Sequence, residues 1–382
     1  MWVSRIIAAM TVDHGLIVLG DVSGYTQFVA TTELEHSREI LAELLETLCE
    51  SGRGNLRVAQ LEGDAVFWLS DEHGEGLAEC LTEKFVEFHR RLRFMTLATT
   101  CRCRACASVG SLTLKFVVHR GDFVQQRVGG SDHFVGTDIV LAHRLLKNKV
   151  PSHEYILLTK AALAAVAAEG SVAHVEEVED LGTIHCAYIE LTTVRARALA
   201  ERTEHLGRRE AAVYFERSFP LSPERIRGVM RNESLRGFGE HFELQEDPQG
   251  LEDEAERSNA RTAFVPRTGM QHVLGRRGAR GTALGQELHC HHRADGTGDI
   301  LRVIRSERDS TQSRTTIHVL GETDSFYVTQ ILSATPSGCH LELRYLFEPF
   351  DDPTVSAPDG FGEIVEKHLD RLTALAASGR AS

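Results

Sequence analysis

A run of four apolar residues, 16–19 (LIVL), ends abruptly at Gly20 and Asp21. A short apolar run without polar alternation is typical of a strand buried on both faces, so other elements must cover each side of its sheet. Apolar residues recur at helical intervals over 40–48 and again over 77–92, and these stretches supply the covering layers. The sequence therefore predicts an α+β fold in which helices pack on a sheet.

The rest of the first half continues this alternation of strands and helices. Two short strands flank Gly63 and Asp64, where glycine favours a tight turn. Residues 112–118 alternate between apolar and polar, as a half-buried strand does. Later elements are expected as a helix over 139–146, a strand over 155–158, an alanine-rich helix over 161–168 and a strand over 188–191.

A charged segment, 195–210, lacks a broad apolar face and predicts a helical linker. It separates a first domain, 1–194, from a second domain, 211–378. The second domain begins with a strand over 213–219 and a helix start at Ser222, Pro223 and Glu224. Its remaining elements are expected as strands over 286–292, 300–305, 315–320, 326–332 and 340–347, followed by an amphipathic C-terminal helix.

Length and charge narrow the class of protein. The 382 residues suffice for about two domains, each able to bury a core. A formal net charge of -13 argues against a general nucleic-acid binder, which needs clustered Lys and Arg. No apolar run approaches the roughly 20 residues that cross a bilayer, and we expect a soluble, cytoplasmic protein without a membrane partner. The eight cysteines are expected to remain reduced.

Asp21 and Asp64 are the leading candidates for chemistry. A carboxylate at the exit of a buried strand and another in a Gly-Asp turn form the kind of pair that holds two divalent metals under a triphosphate. The backbone amides of Val22, Ser23, Gly24 and Tyr25 would then contact phosphate oxygens. The alternative is that both aspartates are turn residues, since Asp is favoured in turns for its own hydrogen bonds.

The sequence around these aspartates resembles the catalytic domain of class III adenylate and guanylate cyclases over roughly residues 14–192. The segment DVSGYT, from Asp21 to Thr26, is similar to the family's first metal-binding motif, and Gly63-Asp64 to its second. The segment FVGTDIVLAHRL is similar to the start of a late helix, whose arginine falls on Arg144. The resemblance implies a ferredoxin-like domain, Mg²⁺ or Mn²⁺, a nucleoside triphosphate and a homodimer with shared active sites.

Three positions depart from that family. Gln60 stands where the family has its purine-reading lysine, and His133 stands near the purine-reading aspartate. Val140 replaces an asparagine that supports the ribose and the transition state, and valine cannot form hydrogen bonds. The resemblance assigns catalysis to Asp21, Asp64 and Arg144. It assigns nucleotide binding to Val22, Ser23, Gly24, Tyr25, Thr26, Gln60 and His133.

Cysteines and histidines suggest further metal sites. Cys101, Cys103 and Cys106 form a CxCxxC cluster, which provides most of a tetrahedral zinc site, with Cys80 as a fourth candidate. Free thiols near a loop are the alternative. The run HCHH at 289–292 is less suited to a metal, because adjacent residues of a strand point to opposite faces. We interpret it as an ordinary, partly buried strand.

The second domain is similar in layout to the START-like (SRPBCC, polyketide-cyclase-like) superfamily, in the segment FPLSPERIRGVM and in its order of elements. That resemblance implies a helix-grip fold with an apolar cavity for a hydrophobic small molecule. No arrangement of nucleophile and base supports catalysis in this half. A metal-dependent enzyme of other chemistry there is a third hypothesis.

Two functions compete for the whole chain. One is a divergent nucleotidyl cyclase that forms a cyclic mononucleotide with low activity. The other is a degenerate cyclase fold that acts as a regulatory or sensing module. Asp21, Asp64 and Arg144 favour the first hypothesis, whereas Gln60 and Val140 favour the second.

Overall fold

The structure is a computed structural model that describes residues 12–50, 56–70, 74–98, 103–236, 287–291, 298–321, 325–348 and 355–377. The chain divides into two compact units. The described residues up to Leu199 form the first unit, apart from residues 97 and 98, and those from Ala200 onward form the second. The predicted α+β class is confirmed.

One mixed sheet forms the centre of the first unit. Its strands are β1 (Asp13–Ser23), β2 (Arg57–Glu62), β3 (Ala65–Ser70), β4 (Thr113–Val128), β5 (Ser131–Val135), β6 (Tyr155–Thr159), β7 (Val172–Val178) and β8 (Gly182–Glu190). The order is β2-β3-β1-β4-β6-β8-β7, with β5 paired to β4. Strands β4 and β6 run parallel, whereas β1 is antiparallel to both of its neighbours.

Helices cover the sheet of the first unit. They are α1 (Tyr25–Thr31), α2 (Leu34–Glu50), α3 (Leu77–Ala98), α4 (Arg104–Ser108), α5 (Thr137–Arg144), α6 (Lys160–Leu163) and α7 (Thr192–Ala198), with a 3₁₀ turn at Val109–Ser111. Residues 16–19 of β1 are completely buried, which confirms the predicted strand with two covered faces. Ile17 and Leu19 pack in one cluster with Ile139 and Ala142 of α5, while Trp68 on the opposite face lies under Lys84 of α3.

The alanine-rich helix is shorter than predicted. We expected it over 161–168, but α6 ends at Leu163. Val166 is buried, and a Cβ atom on Gly74 would lie only 2.6 Å from its Cγ2 atom. This packing turns the chain inward, so tertiary contact overrides the helix propensity of alanine.

The second unit contains a six-stranded antiparallel sheet. Its elements are β9 (Val213–Phe219), α8 (Pro223–Arg236), β10 (Glu287–His291), β11 (Gly298–Arg308), β12 (Gln312–Leu320), β13 (Ser325–Thr335), β14 (Gly338–Phe347) and α9 (Phe361–Ala377). The strand order is β10-β11-β12-β13-β14-β9, so the first strand of the unit pairs with its last. The predicted order of strands and helices is confirmed.

The C-terminal helix α9 buries its apolar stripe in the core of the second unit. Val365, Leu369 and Leu372 are buried there together with Tyr345 and Phe347 of β14. On the exposed side, Arg217 of β9 pairs with Glu366 at 2.7 Å and Asp370 at 2.8 Å.

The HCHH run is only partly described, and the prediction of a helical linker over 195–210 is wrong for most of its length. In the HCHH run, β10 ends at His291, and residue 292 lies outside the described residues. In the predicted linker, α7 ends at Ala198 and the following residues up to β9 are not helical. No helix in the described part of the chain combines the length and apolar character that a membrane crossing requires.

Candidate functional site

Asp21 lies at the end of the buried part of β1. Alternation along the strand places its side chain on the same face as Ile17 and Leu19, the face that α5 covers. The side chain is 19% exposed, whereas Leu19 is fully buried. Asp21 therefore stands where the apolar core ends and the surface begins.

Asp64 lies beside Asp21 because the β2–β3 hairpin turns there. Gly63 adopts a φ of 66°, a left-handed conformation that glycine adopts readily, so the turn falls where the sequence predicted it. The Val22 amide donates to the Asp64 carbonyl at 3.1 Å, and Asp21 is in register with Ala65. Burial, and then the negative charge of Asp21, raise the pKa of the Asp64 carboxyl above its ordinary value. The two aspartates thus form one electrostatically coupled pair.

Lys115 is a third member of this site, and sequence reasoning missed it. It lies on β4 directly in register with Asp21, and its Nζ atom is 3.1 Å from Asp21 Oδ2. The same ammonium donates to the Leu146 carbonyl at 2.9 Å. Its charge also acts to lower the pKa of Asp64. Lys115 occupies one of the polar positions in the alternation of 112–118, but only the pairing of β1 with β4 brings it to the aspartates.

The predicted phosphate-binding segment needs one correction. The Val22 amide is occupied by the Asp64 carbonyl, and Val22 is fully buried, so Val22 is not available to a phosphate. Ser23 ends β1 in register with Thr113. Gly24 has a φ of 89° and precedes α1, which begins at Tyr25.

Tyr25, the first residue of α1, interacts electrostatically with Asp64. Burial, and then the charge of Asp64, raise the pKa of the Tyr25 hydroxyl. Thr26 is exposed in the same first turn. The amides of a first helical turn have no partners within the helix, so those of Tyr25 and Thr26 are suited to an anion.

Arg144 contacts the turn between β7 and β8. It lies at the end of α5, and its Nη1 atom donates to the Glu179 carbonyl at 3.3 Å. The carboxylates of Glu179 and Asp180 lie 3.9 Å from the guanidinium. The Arg144 side chain is 41% exposed, so few packing contacts would oppose its movement to a different partner.

The positions that would read a base lie on two different hairpins. Gln60 is on β2, opposite Phe67 and next to an irregularity in the strand register. His133 is on β5, opposite Gln126. Val140, on α5, is 48% exposed, which is unusual for a large apolar residue.

The cysteine cluster is partly described. Cys101 lies outside the described residues, whereas Cys103 and Cys106 both lie near His36 of α2. The sequence offered Cys80 as a fourth ligand, but the structure brings His36 to this position instead. Burial raises the pKa of the Cys80 thiol, and the positive charge of Lys84 only partly opposes that rise. His36 is 67 residues from Cys103, and no local spacing identifies it.

Comparisons with known proteins define a family. Residues 41–155 match the model of a protein family of unknown function, DUF2652. The uncharacterized protein Rv2561/Rv2562 of Mycobacterium tuberculosis is 30% identical over 160 residues, which span 40% of this chain and 74% of that protein. The chain belongs to the same family as this mycobacterial protein.

Solved structures of cyclases are similar at a lower level. A bacterial light-regulated adenylyl cyclase has a TM-score of 0.38 at 12% identity, and the match covers 48% of this chain and 54% of that one. The guanylyl cyclase Cya2 has a TM-score of 0.37 at 13% identity, over 47% of this chain and 92% of that one. This chain therefore spans about half the length of the light-regulated enzyme.

Proposed function

We propose that the first unit is a class III cyclase-like domain that binds a nucleoside triphosphate through Mg²⁺ or Mn²⁺ held by Asp21 and Asp64. The observation that carries this proposal is the hydrogen bond of 3.1 Å from the Val22 amide to the Asp64 carbonyl, which holds the turn that carries Asp64 against β1 beside Asp21. Burial, and then the negative charge of Asp21, raise the pKa of Asp64. A bound cation would relieve the repulsion between the two carboxylates.

The residues fit the proposed metal. Carboxylate oxygens are the ligands that Mg²⁺ and Mn²⁺ prefer, and both aspartates retain partial exposure. Lys115 already places an ammonium against Asp21, so the position attracts positive charge. When bound, the metal would supply charge stabilisation for the phosphates and activate a ribose hydroxyl.

The phosphate contacts would come from three directions. The amides of Tyr25 and Thr26 open the first turn of α1 beside Asp64. Lys115 can exchange its bond to Asp21 for a phosphate oxygen, because its stem remains anchored on β4. Ser23 and Gly24 border the same space, while Gln60 and His133 remain proposed contacts for the base.

The reaction that suits this site is cyclisation. The ribose 3′-hydroxyl attacks the α-phosphorus, its proton passes to solvent, and the bond from the α-phosphorus to the bridging oxygen of pyrophosphate breaks. Positive charge beside the phosphates stabilises the transition state of this step, and Lys115 would supply part of that charge from the same chain. Arg144 would supply more across a homodimer, as the class III resemblance implies. Without an asparagine at position 140, we expect slow turnover.

A specific pair of residues favours a second function. The ion pair between Lys115 and Asp21 balances part of the negative charge of the site without a metal. Val140 lacks the hydrogen bond that the class III family uses in the transition state. Both features suit a domain that binds a nucleotide and signals its presence without turnover.

The experiment that separates the two functions measures product and binding together. The full chain is incubated with each of the four nucleoside triphosphates and Mg²⁺ or Mn²⁺, and cyclic product is measured by mass spectrometry. Asp64→Ala is the test variant. Asp13→Ala is the matched control, because Asp13 is exposed at the opposite end of β1.

Each outcome assigns a function. Metal-dependent cyclic product that disappears in Asp64→Ala but persists in Asp13→Ala supports the cyclase. Metal-dependent binding with the same variant pattern but without product supports the regulatory module. Nucleotide binding that is unchanged both by removal of the metal and by Asp64→Ala would overturn the proposal.

For the second unit, we infer a START-like fold that binds a hydrophobic small molecule. Pairing of β9 with β14 and the packing of α9 on the apolar cluster support this proposal. Native mass spectrometry of the purified chain tests it. A retained lipid-like molecule supports the proposal, whereas failure to bind any member of a hydrophobic ligand panel contradicts it.

A further inference from the structure

Two cysteines and a histidine from distant parts of the chain meet in the first unit. His36 lies in α2, Cys103 directly precedes α4, and Cys106 lies within α4. One ligand atom from each of the three lies within 4.8 Å of the others. None of these atoms belongs to the aspartate site described above.

The single Nδ1 atom of His36 lies close to both sulfurs, and its distance to Cys106 Sγ is the one expected across a shared metal. His36 Nδ1 is 3.1 Å from Cys103 Sγ and 3.5 Å from Cys106 Sγ. A tetrahedral zinc with Zn–N near 2.0–2.1 Å and Zn–S near 2.3 Å separates nitrogen from sulfur by about 3.5 Å. One imidazole nitrogen carries at most one proton, so it cannot form a good hydrogen bond to both sulfurs at once.

The surroundings resemble those of a closed structural site. Cys106 is 4% exposed, and its amide donates to Cys103 Sγ at 3.4 Å, a contact that favours a thiolate. The Ala105 amide donates to Glu33 Oε2 at 3.1 Å, which ties α4 to the residue just before α2. The ligands therefore lie on backbone whose position is already fixed.

We propose that His36, Cys103 and Cys106 bind Zn²⁺ as a structural site that fastens α4 to α2. Zinc is the cation that imidazole and thiolate ligands select together in a tetrahedral site. Three ligands leave one position for a fourth. The remaining cysteine of the motif, Cys101, lies outside the described residues.

The zinc would also support the start of α1. The 3₁₀ turn at Val109–Ser111 follows α4 directly, and a Cβ atom on Gly24 would lie 3.7 Å from the Ser111 carbonyl oxygen and 3.9 Å from Leu112. The anchored segment thus borders the residue that precedes α1. The zinc proposal does not depend on nucleotide binding, since its ligands and its test are separate.

Metal content of the full chain, purified under reducing conditions and supplied with Zn²⁺, tests the proposal. We expect about one zinc per chain after dialysis. His36→Ala, Cys103→Ser and Cys106→Ser should each lower zinc affinity about tenfold or more. Cys49→Ser on α2 and Cys80→Ser are the controls, and both should retain the metal.

A second measurement uses the wild-type chain, so its result does not depend on whether the variants fold. Co²⁺ added to the reduced wild-type chain should give the absorption of a tetrahedral cobalt with thiolate ligands, and Zn²⁺ should abolish it. A chain that binds no zinc, or retains it without His36, would overturn the proposal. So would a Cys103–Cys106 disulfide that survives reduction, because neither sulfur would then be available to zinc.

Discussion

Lys115 Nζ lies 3.1 Å from Asp21 Oδ2, on the strand directly paired with that of the aspartate. The ammonium balances one of two coupled carboxylates and leaves the site with a net negative charge. Nucleotide cyclisation and nucleotide sensing both need this charge, since both start with the binding of a cation. In the proposed function, this pair would set how strongly the site attracts a divalent metal.

Replacement of this lysine should strengthen metal binding in the absence of nucleotide. In Lys115→Met, Mn²⁺ no longer competes with an ammonium for Asp21, and we expect affinity to rise about threefold to tenfold, which is about 0.7–1.4 kcal/mol. Calorimetric titration of Mn²⁺ measures the change. Lys160→Met, at an exposed lysine, is the control; equal affinities in all three proteins would refute this role of Lys115.

Asp64 should reduce the stability of the metal-free protein near neutral pH. Its pKa is raised in the fold, so its contribution to stability is present below the ordinary value of 3.8 and is lost as the pH rises through the folded value. We expect Asp64→Asn to raise the Tm at pH 7 by about 1–2 °C, after allowance for solvent screening. The gain should vanish at low pH. A lower Tm for Asp64→Asn at pH 7 would contradict the repulsion between the aspartates.

His143 should stabilise the first unit more in mild acid than in base. Its Nε2 atom is 2.6 Å from Glu62 Oε2, and this hydrogen bond raises the pKa of the imidazole above 6.5. The stabilisation is complete below 6.5 and is lost as the pH rises through the folded pKa. Glu62→Gln should cost about 1 kcal/mol in mild acid and less in base. Chemical unfolding followed by tryptophan fluorescence measures this cost, and a cost that does not change with pH would contradict this account.

A buried ion pair should hold α2 to α3. Glu43 Oε1 and Arg91 Nη2 lie 2.5 Å apart, with side chains that are 0% and 2% exposed. Removal of one partner in Glu43→Ala leaves an uncompensated buried charge and should cost about 3–5 kcal/mol. The double variant Glu43→Leu/Arg91→Met should recover most of this loss in the same unfolding measurement. Additive losses would contradict a direct pair.

Local sequence patterns predicted the parts of the fold that depend on local physics. The apolar run of β1 and the turn at Gly63 follow from burial and from backbone freedom, and both lie where they were expected. The prediction of a helix over 161–168 was wrong, because Val166 packs against Gly74 and no local pattern encodes that contact.

The candidate site was predicted only in part, for the same reason. Asp21 and Asp64 carry local signals, since Asp21 follows a buried apolar run and Asp64 occupies a Gly-Asp turn. Lys115 and His36 carry none, because their partners are brought to them by strand pairing and helix packing far along the chain. Cys80 looked suitable by its place in the sequence, yet His36 faces the cysteines.

Binding of Mn²⁺ with a triphosphate analogue to the full chain, followed by electron paramagnetic resonance, tests the central claim most directly. We predict that Asp21→Asn and Asp64→Asn each weaken Mn²⁺ binding about tenfold or more, and that the double variant is little worse than either, because both aspartates hold the same metal. Asp13→Asn should bind as the wild type does. Wild-type affinity in both single variants would contradict a shared metal site at Asp21 and Asp64.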